Sequence, residues 1–236
     1  MKIYKISSSK TGLTLFEGAF NTPRHAVEQA ITDNVCLDHA DLSGLNLTNA
    51  ALDGARLRHA RFGNTNLGGA NLSEATFDSA DFTGANLNAA CLCYSSLRGC
   101  NFDGVTFGET DITSCDISGS LFSSRSAFYL NFADTSNMTD CYYSVSDKEA
   151  CLMSRPPIVI HGLPFPVIFM DDHVMIGPLL RSWVDLASYT NDNLPTEWPD
   201  NSALLTFIQR HRDNLLPLIQ GMHSKNLDIN RGWLYK

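Results

Sequence analysis

Large apolar residues recur at every fifth position through the middle of the chain. The residue two positions before each of them is small or medium-sized in all but one case, Leu45, and polar residues and glycine fill most of the other positions. Five is the period of neither an α-helix nor a flat strand. The series has eighteen consecutive members: Leu37, Leu42, Leu47, Leu52, Leu57, Phe62, Leu67, Leu72, Phe77, Phe82, Leu87, Leu92, Leu97, Phe102, Phe107, Ile112, Ile117 and Phe122.

A fixed short period predicts a repeat architecture, in which each unit buries its apolar side by stacking on its neighbours. Only a backbone that turns a corner every five residues keeps all eighteen side chains pointing inward. Four such corners close a coil of twenty residues. The pattern therefore predicts stacked coils, with each large residue at the centre of one wall.

Four segments of this region, ADLSG, ANLSE, ADFTG and ANLNA, repeat almost the same five residues. They resemble the pentapeptide-repeat family, whose consensus is roughly Ala-Asp/Asn-Leu-x-x. The resemblance implies a mainly β fold, a right-handed quadrilateral β-helix of about five coils over residues 35–134. Coils spaced about 4.8 Å apart would make a rod about 24 Å long.

Residues 1–34 are predicted to cap the first coil. Residues 2–6 and 13–16 are typical of a β-hairpin around a turn-rich Ser-Ser-Ser-Lys-Thr-Gly segment. Thr22 and Pro23 then suit the N-cap and first position of a short helix ending near Thr32. This stretch also resembles the leader of many bacterial pentapeptide-repeat proteins.

The repeat decays after Asp134, since TSNMT and DCYYS do not fit it. Residues 140–236 are predicted to form a small α+β domain packed on the last coil. We expect three short strands within 156–177, a short helix over 179–188, a loop, and a longer helix that begins at Ser202. The tail carries Trp233 and Tyr235, which are candidates for contact with a partner.

Residues twenty apart should stack in columns. One interior column is then aromatic: Phe62, Phe82, Phe102 and Phe122. Two outer columns alternate in charge: Asp38, Arg58, Asp78 and Arg98 in one, and Asp41, Arg61 and Asp81 in the other. The four aspartates of these outer columns are candidate interaction residues, together with the two aromatic residues of the tail.

The net charge of −8 and a pI near 5.2 disfavour direct nucleic-acid binding, which depends on Lys and Arg. No apolar run is long enough to span a membrane, and the N-terminus lacks the apolar core of a secretory signal. The seven cysteines are odd in number and irregularly spaced, so no disulfide framework is predicted. We expect a reduced, cytoplasmic protein.

No catalytic motif or cofactor fingerprint is present, so we predict neither an enzyme nor a cofactor. Cys91 and Cys93 should both point outward, but the columns beside them offer no further thiols, and no metal site is predicted. His39 and His59 should form a solvated stacked pair. The Asp171-Asp172-His173 segment is interpreted as a turn, and an enzyme would require His161 to join Asp172 and His173 in a pocket.

The leading hypothesis is a non-catalytic scaffold whose rigid rod and C-terminal domain bind a protein partner. The resemblance adds an alternative, because some members of the family mimic duplex DNA and bind DNA gyrase. Residues 35–134 carry eleven acidic residues against five arginines, and those arginines interrupt the acidic face. A secreted effector is a further alternative, and the C-terminal helix allows homodimerisation.

Overall fold

The computed structural model describes residues 1–146, 149–160, 167–176 and 179–182. The chain divides into two compact units, Met1–Pro156 and Pro157–Lys236. In the described part of the chain, no helix is both long and apolar enough to cross a membrane.

The chain begins with an antiparallel hairpin of β1 (Lys2–Ser7) and β2 (Thr14–Phe20), followed by α1 (Pro23–Thr32). Thr22 caps α1, since its hydroxyl oxygen accepts the His25 N–H at 3.2 Å, and Pro23 occupies the first helical turn. The Asp41 N–H donates to the Ser7 carbonyl at 2.9 Å, which joins the hairpin to the first coil. The predicted hairpin and capped helix are confirmed.

Residues 37–143 are called the coil stack below, and as far as Gly119 the chain turns at every fifth residue because that residue has a positive φ. Glycine and asparagine adopt this left-handed conformation most readily, which explains their recurrence at these positions. The series is unbroken from Asn34 to Gly119: Asn34, His39, Gly44, Asn49, Gly54, His59, Asn64, Gly69, Glu74, Ser79, Gly84, Ala89, Tyr94, Gly99, Gly104, Glu109, Ser114 and Gly119.

Successive coils pair in parallel, with residues twenty apart as partners, as for Arg61 with Asp81 and Asp81 with Asn101. From Leu37 to Leu97, the N–H of each central residue donates to the carbonyl nineteen positions later; for Phe82 this acceptor is Asn101, at 2.8 Å. Pairing is extensive enough to form two-residue strands at β3 (Asn101–Phe102) and β4 (Leu121–Phe122). The result is a β-helix-type solenoid.

The eighteen central side chains fill the interior, and none is more than 4% exposed. The rings of Phe62, Phe82, Phe102 and Phe122 lie nearly parallel, one per coil, with successive centroids 4.7, 5.2 and 5.0 Å apart. Such stacking adds about 0.5–1.5 kcal/mol per pair to the effect of burial.

The small inward position two residues before each central residue also bonds between coils where it is polar. Each such hydroxyl or thiol donates to the carbonyl 23 residues earlier, so a buried polar group is satisfied without water. Ser95 donates to Leu72 at 2.7 Å, and Cys115 donates to Leu92 at 2.9 Å. The same bond is made by Thr65, Cys100, Thr110 and Ser120.

The coil stack continues past Asp134, where the repeat was expected to end. Two 3₁₀ segments, Arg125–Tyr129 and Phe132–Asp134, cover this part of the coil, and one extra residue lies between the buried Phe132 and the buried Met138. Asp116 therefore pairs with Asn137, twenty-one positions on. The TSNMT and DCYYS segments thus belong to a further coil, displaced by one residue.

Two strands close this end of the coil stack. β5 (Tyr142–Ser146) pairs in parallel with β4, placing Tyr142 beside Leu121, and β6 (Glu149–Leu152) pairs antiparallel with β5. The division of the chain into 1–34, 35–134 and 140–236 stays a prediction, but the strand pairing places 142–152 with the coils.

In the second unit, β7 (Ile158–Ile160), β8 (Val167–Phe169), β9 (His173–Ile176) and β10 (Leu179–Ser182) form an antiparallel sheet in that order. The three strands predicted within 156–177 are confirmed. The helix predicted from residue 179 is wrong as far as Ser182, because the backbone pairs with β9 instead, and tertiary pairing overrides a short helical pattern. The predicted loop, the helix from Ser202, Trp233 and Tyr235 lie outside the described residues.

Candidate interaction surface

Outward side chains flank each central residue, and the residue before it is often Asp or Asn. Its side-chain oxygen accepts the backbone N–H two residues later, which stabilises the turn that follows. Asp81 accepts from the Thr83 N–H at 3.0 Å and from the Thr83 hydroxyl at 2.5 Å. The backbone bond recurs at Asp41, Asn46, Asn66, Asn71, Asn86, Asn101, Asp111, Asp116 and Asn137.

The outer column of Asp38, Arg58, Asp78 and Arg98 is held together by ionic and hydrogen bonds. Arg98 contacts both carboxylate oxygens of Asp78, with its Nη2 2.6 Å from Oδ2 and its Nε 3.3 Å from Oδ1. Arg58 Nε lies 3.8 Å from the same Oδ2, and the Arg58 backbone N–H donates to Asp38 Oδ1 at 2.9 Å. Asp78 is therefore compensated by arginines from the coils on both sides.

The surroundings of Asp78 lower its pKa. Partial burial of the carboxylate raises the pKa, but hydrogen bonds donated by Arg98 and Ser96, together with the Arg98 charge, outweigh burial. Asp78 is consequently ionised at neutral pH, and its charge is largely matched by the two guanidinium groups.

The second outer column, Asp41, Arg61 and Asp81, behaves differently although its charges also alternate. The three residues pair through their backbones, Asp41 with Arg61 and Arg61 with Asp81. Both aspartates bond to the turn that follows, Asp41 to the Ser43 N–H and Asp81 to Thr83, while Asn101 Nδ2 lies 3.4 Å from Asp81 Oδ1. The carboxylates of Asp41 and Asp81 therefore act as hydrogen-bond acceptors for the backbone of their own turns.

Two tyrosines that were not singled out in the sequence are strongly exposed. Tyr94 is 67% exposed and Tyr129 is 79% exposed. Tyr94 occupies a positive-φ turn position with φ of 62°, where glycine or asparagine is usual. An aromatic residue at a turn position of the five-residue pattern points outward, and this signal would have identified Tyr94 from the sequence.

Two histidines also stack on the outside, as predicted. The rings of His39 and His59 are 4.7 Å apart with an interplanar angle of 8°, and both residues occupy positive-φ turn positions.

Cys91, Cys93 and Asp111 form a compact group on one wall. The Cys91 thiol donates to the Cys93 sulfur at 3.2 Å, and a carboxylate oxygen of Asp111 lies within 4.8 Å of both sulfur atoms. Burial, the Asp111 carboxylate and Cys91 raise the pKa of Cys93 to about 12. Hydrogen bonds from Thr113 and Cys93 lower the pKa of Asp111.

A family model places this architecture among known proteins. Pentapeptide repeats match in eight copies, over residues 33–64, 55–92 and 80–119. Residues 33–119 belong to the pentapeptide-repeat family. The repeats contain the outer columns, Tyr94 and the cysteine pair, so these features all lie on pentapeptide-repeat walls.

Solved structures similar to this chain are also pentapeptide-repeat proteins. A trypsin-treated, substituted form of QnrB1, a plasmid-mediated fluoroquinolone resistance protein, has 18% identity and a TM-score of 0.37, over 44% of this chain and 57% of that chain. A protein from the Arabidopsis thaliana thylakoid lumen has 24% identity and a TM-score of 0.25, over 49% and 83%. HetL from Nostoc, involved in heterocyst differentiation regulation, has 19% identity and a TM-score of 0.15, over 45% and 71%. No curated protein matches the chain significantly.

The Asp171-Asp172-His173 segment lies outside the pentapeptide repeats, in the second unit. It turns the chain between β8 and β9, where the Met170 N–H donates to the His173 carbonyl at 2.9 Å. Asp172 Oδ1 lies 2.8 Å from His173 Nδ1. This geometry fits the turn interpretation, and His161 lies outside the described residues.

Proposed function

We propose that the coil stack is a non-catalytic scaffold that binds another protein, with residues 140–236 contributing to the choice of partner. The observation that carries this proposal is the strong exposure of Tyr94, whose backbone N–H donates to the Thr113 carbonyl of the next coil at 2.9 Å, together with that of Tyr129 at the end of a 3₁₀ segment. Exposed tyrosines on a rigid support lose little conformational entropy on binding and are frequent hot spots of interfaces. Solenoids commonly bind partners through such extended surfaces.

The proposal includes four-sided, right-handed coils. Four central residues and four positive-φ residues in every twenty support the four-sided cross-section. Flat walls would present side chains about 4.8 Å apart along each column, a spacing that a partner with a complementary flat surface can follow.

The proposal also includes a reducing compartment, the cytoplasm, as the place of action. Free thiols at Cys36, Cys91, Cys93, Cys100, Cys115 and Cys141 support it. Homodimerisation through the C-terminal residues and the absence of catalysis remain parts of the proposal that need direct measurement.

The test is affinity capture from a bacterial lysate with the tagged full chain, followed by mass spectrometry. Parallel captures use Tyr94→Ala/Tyr129→Ala and, as a matched control, Tyr142→Ala, which removes a less exposed tyrosine from the end of the same coil stack. We expect a defined partner that is lost with the double variant and retained with the control. The same proteins captured by all three chains would contradict the proposal.

DNA mimicry directed at a type II topoisomerase such as DNA gyrase is the second candidate. The excess of eleven acidic residues over five arginines in residues 35–134 favours it. The pairing of Asp78 with Arg98 and Arg58 weighs against a continuous acidic face. A gyrase supercoiling assay, with and without a quinolone, distinguishes the candidates: a change that grows in Arg58→Gln/Arg98→Gln supports mimicry, and an unchanged reaction at micromolar protein excludes it.

A further inference from the structure

We propose that Cys91, Cys93 and Asp111 form a binding site for one thiophilic divalent cation of the zinc type. The inference is independent of the interaction function above. It departs from the sequence-based prediction, which excluded a metal because only two thiols were expected on this wall.

The cysteine pair occupies positions that have another role in neighbouring coils. Cys91 pairs through its backbone with Asn71 on one side and Asp111 on the other. At those coils the Asn or Asp oxygen accepts both the N–H and the hydroxyl of the residue two positions later, Ser73 or Thr113. Cysteine sulfur is a weak acceptor, so Cys91 and Cys93 are poor substitutes in this turn. The pair needs another explanation.

The three side chains already lie close to a metal-binding arrangement. The two sulfur atoms are 3.2 Å apart, and one ligand atom from each of the three residues lies within 4.8 Å of the other two. Tetrahedral zinc with Zn–S bonds of about 2.3 Å needs sulfur atoms about 3.8 Å apart. Small side-chain rotations supply this opening, because both cysteines are partly exposed.

The chemistry of the three groups selects the class of ion. Two thiolates favour zinc and softer ions over calcium or magnesium, and a carboxylate is an accepted zinc ligand. The ion displaces one proton from each thiol and none from Asp111, whose carboxylate is already ionised. A dication bound to two thiolates and one carboxylate has a net charge of −1, and a fourth position stays open for water or a partner's side chain.

The existing contacts of these three side chains hold the ligand atoms close together before the cation replaces the two thiol protons. The Cys91 thiol points at Cys93, and the two sulfur atoms and a carboxylate oxygen of Asp111 lie within 4.8 Å of one another, so the three ligand atoms converge where the cation would bind. Thr113 holds Asp111 Oδ1 through its N–H at 2.9 Å and its hydroxyl at 2.7 Å. Coordination through Oδ2 leaves both of these bonds in place and presents a pre-oriented carboxylate.

The test uses Cd²⁺ as a spectroscopic probe, added to the reduced full chain. We expect ultraviolet thiolate-to-Cd²⁺ charge-transfer absorption that saturates at one ion per chain, with release of about two protons per ion. Cys91→Ser and Cys93→Ser should each abolish this absorption, and Asp111→Asn should weaken the affinity about tenfold or more. Cys36→Ser removes an exposed thiol outside the group and should leave the titration unchanged.

Melting curves separate loss of the site from loss of the fold. Without metal, the cysteine variants should melt within a few degrees of the parent chain, since both side chains lie on the outer wall. With Cd²⁺ in excess, the parent and Cys36→Ser should show a raised melting temperature and the Cys91→Ser and Cys93→Ser variants should not, because a ligand that binds the folded state stabilises it. Saturable absorption that survives Cys91→Ser/Cys93→Ser, or that disappears in Cys36→Ser, would overturn the proposal, as would equal affinities of Asp111→Asn and the parent.

Discussion

The middle of the coil stack and its C-terminal end are built from the same five-residue unit but follow different rules. In the middle, around Phe82, pairing partners are twenty residues apart and the turns recur without interruption. At the end, one residue is added between Phe132 and Met138, 3₁₀ segments replace part of the coil, and an antiparallel strand follows. A coil that has another coil on each side therefore keeps the strict five-residue period. The coil at the C-terminal end of the stack accommodates an additional residue.

The largest expected difference between the two regions concerns the interior aromatics. Phe82 stacks on Phe62 at 4.7 Å and on Phe102 at 5.2 Å, so Phe82→Ala leaves a cavity between two fixed coils and should cost about 3–5 kcal/mol. Phe132 meets Phe122 edge-on at 5.5 Å near the end, where the chain relaxes more easily. We expect Phe132→Ala to be milder by at least about 1 kcal/mol in urea unfolding. Equal losses of unfolding free energy in Phe82→Ala and Phe132→Ala would contradict the proposed difference between the two regions.

Turn glycines should show an intermediate difference. Gly84 and Gly119 have φ of 68° and 70°, so alanine at either site costs about 1–2 kcal/mol in backbone strain. At Gly84 the new Cβ would lie 2.6 Å from Asn64 Oδ1, whereas at Gly119 its nearest neighbours are at 3.8 Å. Gly84→Ala should therefore have the lower melting temperature. The reverse order would show that the middle coils adjust as freely as the end.

The outer charge column should give the smallest effect. The pKa of Asp78 is lowered in the folded chain, so its stabilisation is full above the unfolded value near 3.8 and is lost as the pH falls through the lower folded value. Asp78→Asn should cost no more than about 1 kcal/mol at neutral pH and less at high salt. Asp140→Asn, at the exposed end, is the control. Unfolding free energies measured at falling pH should begin to converge for parent and Asp78→Asn below the unfolded value near 3.8, and curves that stay parallel there would refute the role given to Asp78.

The fold in the middle of the coil stack was predictable because each residue type recurs at the position where it has the same structural role. Large residues fill the interior, Gly and Asn suit the left-handed turn, and Asp or Asn before the central residue bonds to the turn. The added residue after Phe132 was missed because it breaks the period. Asn137-Met138-Thr139 nevertheless repeats the local motif, since Asn137 Oδ1 accepts from the Thr139 N–H at 3.1 Å. A search that allowed one insertion would have found it.

The outer surface was less predictable from the sequence. Twenty-residue spacing identifies which side chains are neighbours in a column, but not which of them form hydrogen bonds or ion pairs. Alternating charge indicated the pairing of Asp78 with Arg98 correctly, yet in the second column the aspartates bond to their own turns. Twenty-residue spacing places Asp111 beside Cys91, but it does not show that the side chains of Cys91, Cys93 and Asp111 converge. β10 was predicted as helix because its pairing with β9 is a tertiary contact.

The register of the coils is the central claim, and scalar couplings across hydrogen bonds in a deuterated sample test it directly by NMR. In the middle, the account predicts couplings from the Phe82 nitrogen to the Asn101 carbonyl carbon and from Leu87 to Thr106, nineteen residues apart. At the end, it predicts couplings from Ile117 to Asn137 and from Gly119 to Thr139, twenty apart. Coupling of Ile117 to Ser136, or of Phe82 to any residue other than Asn101, would contradict it.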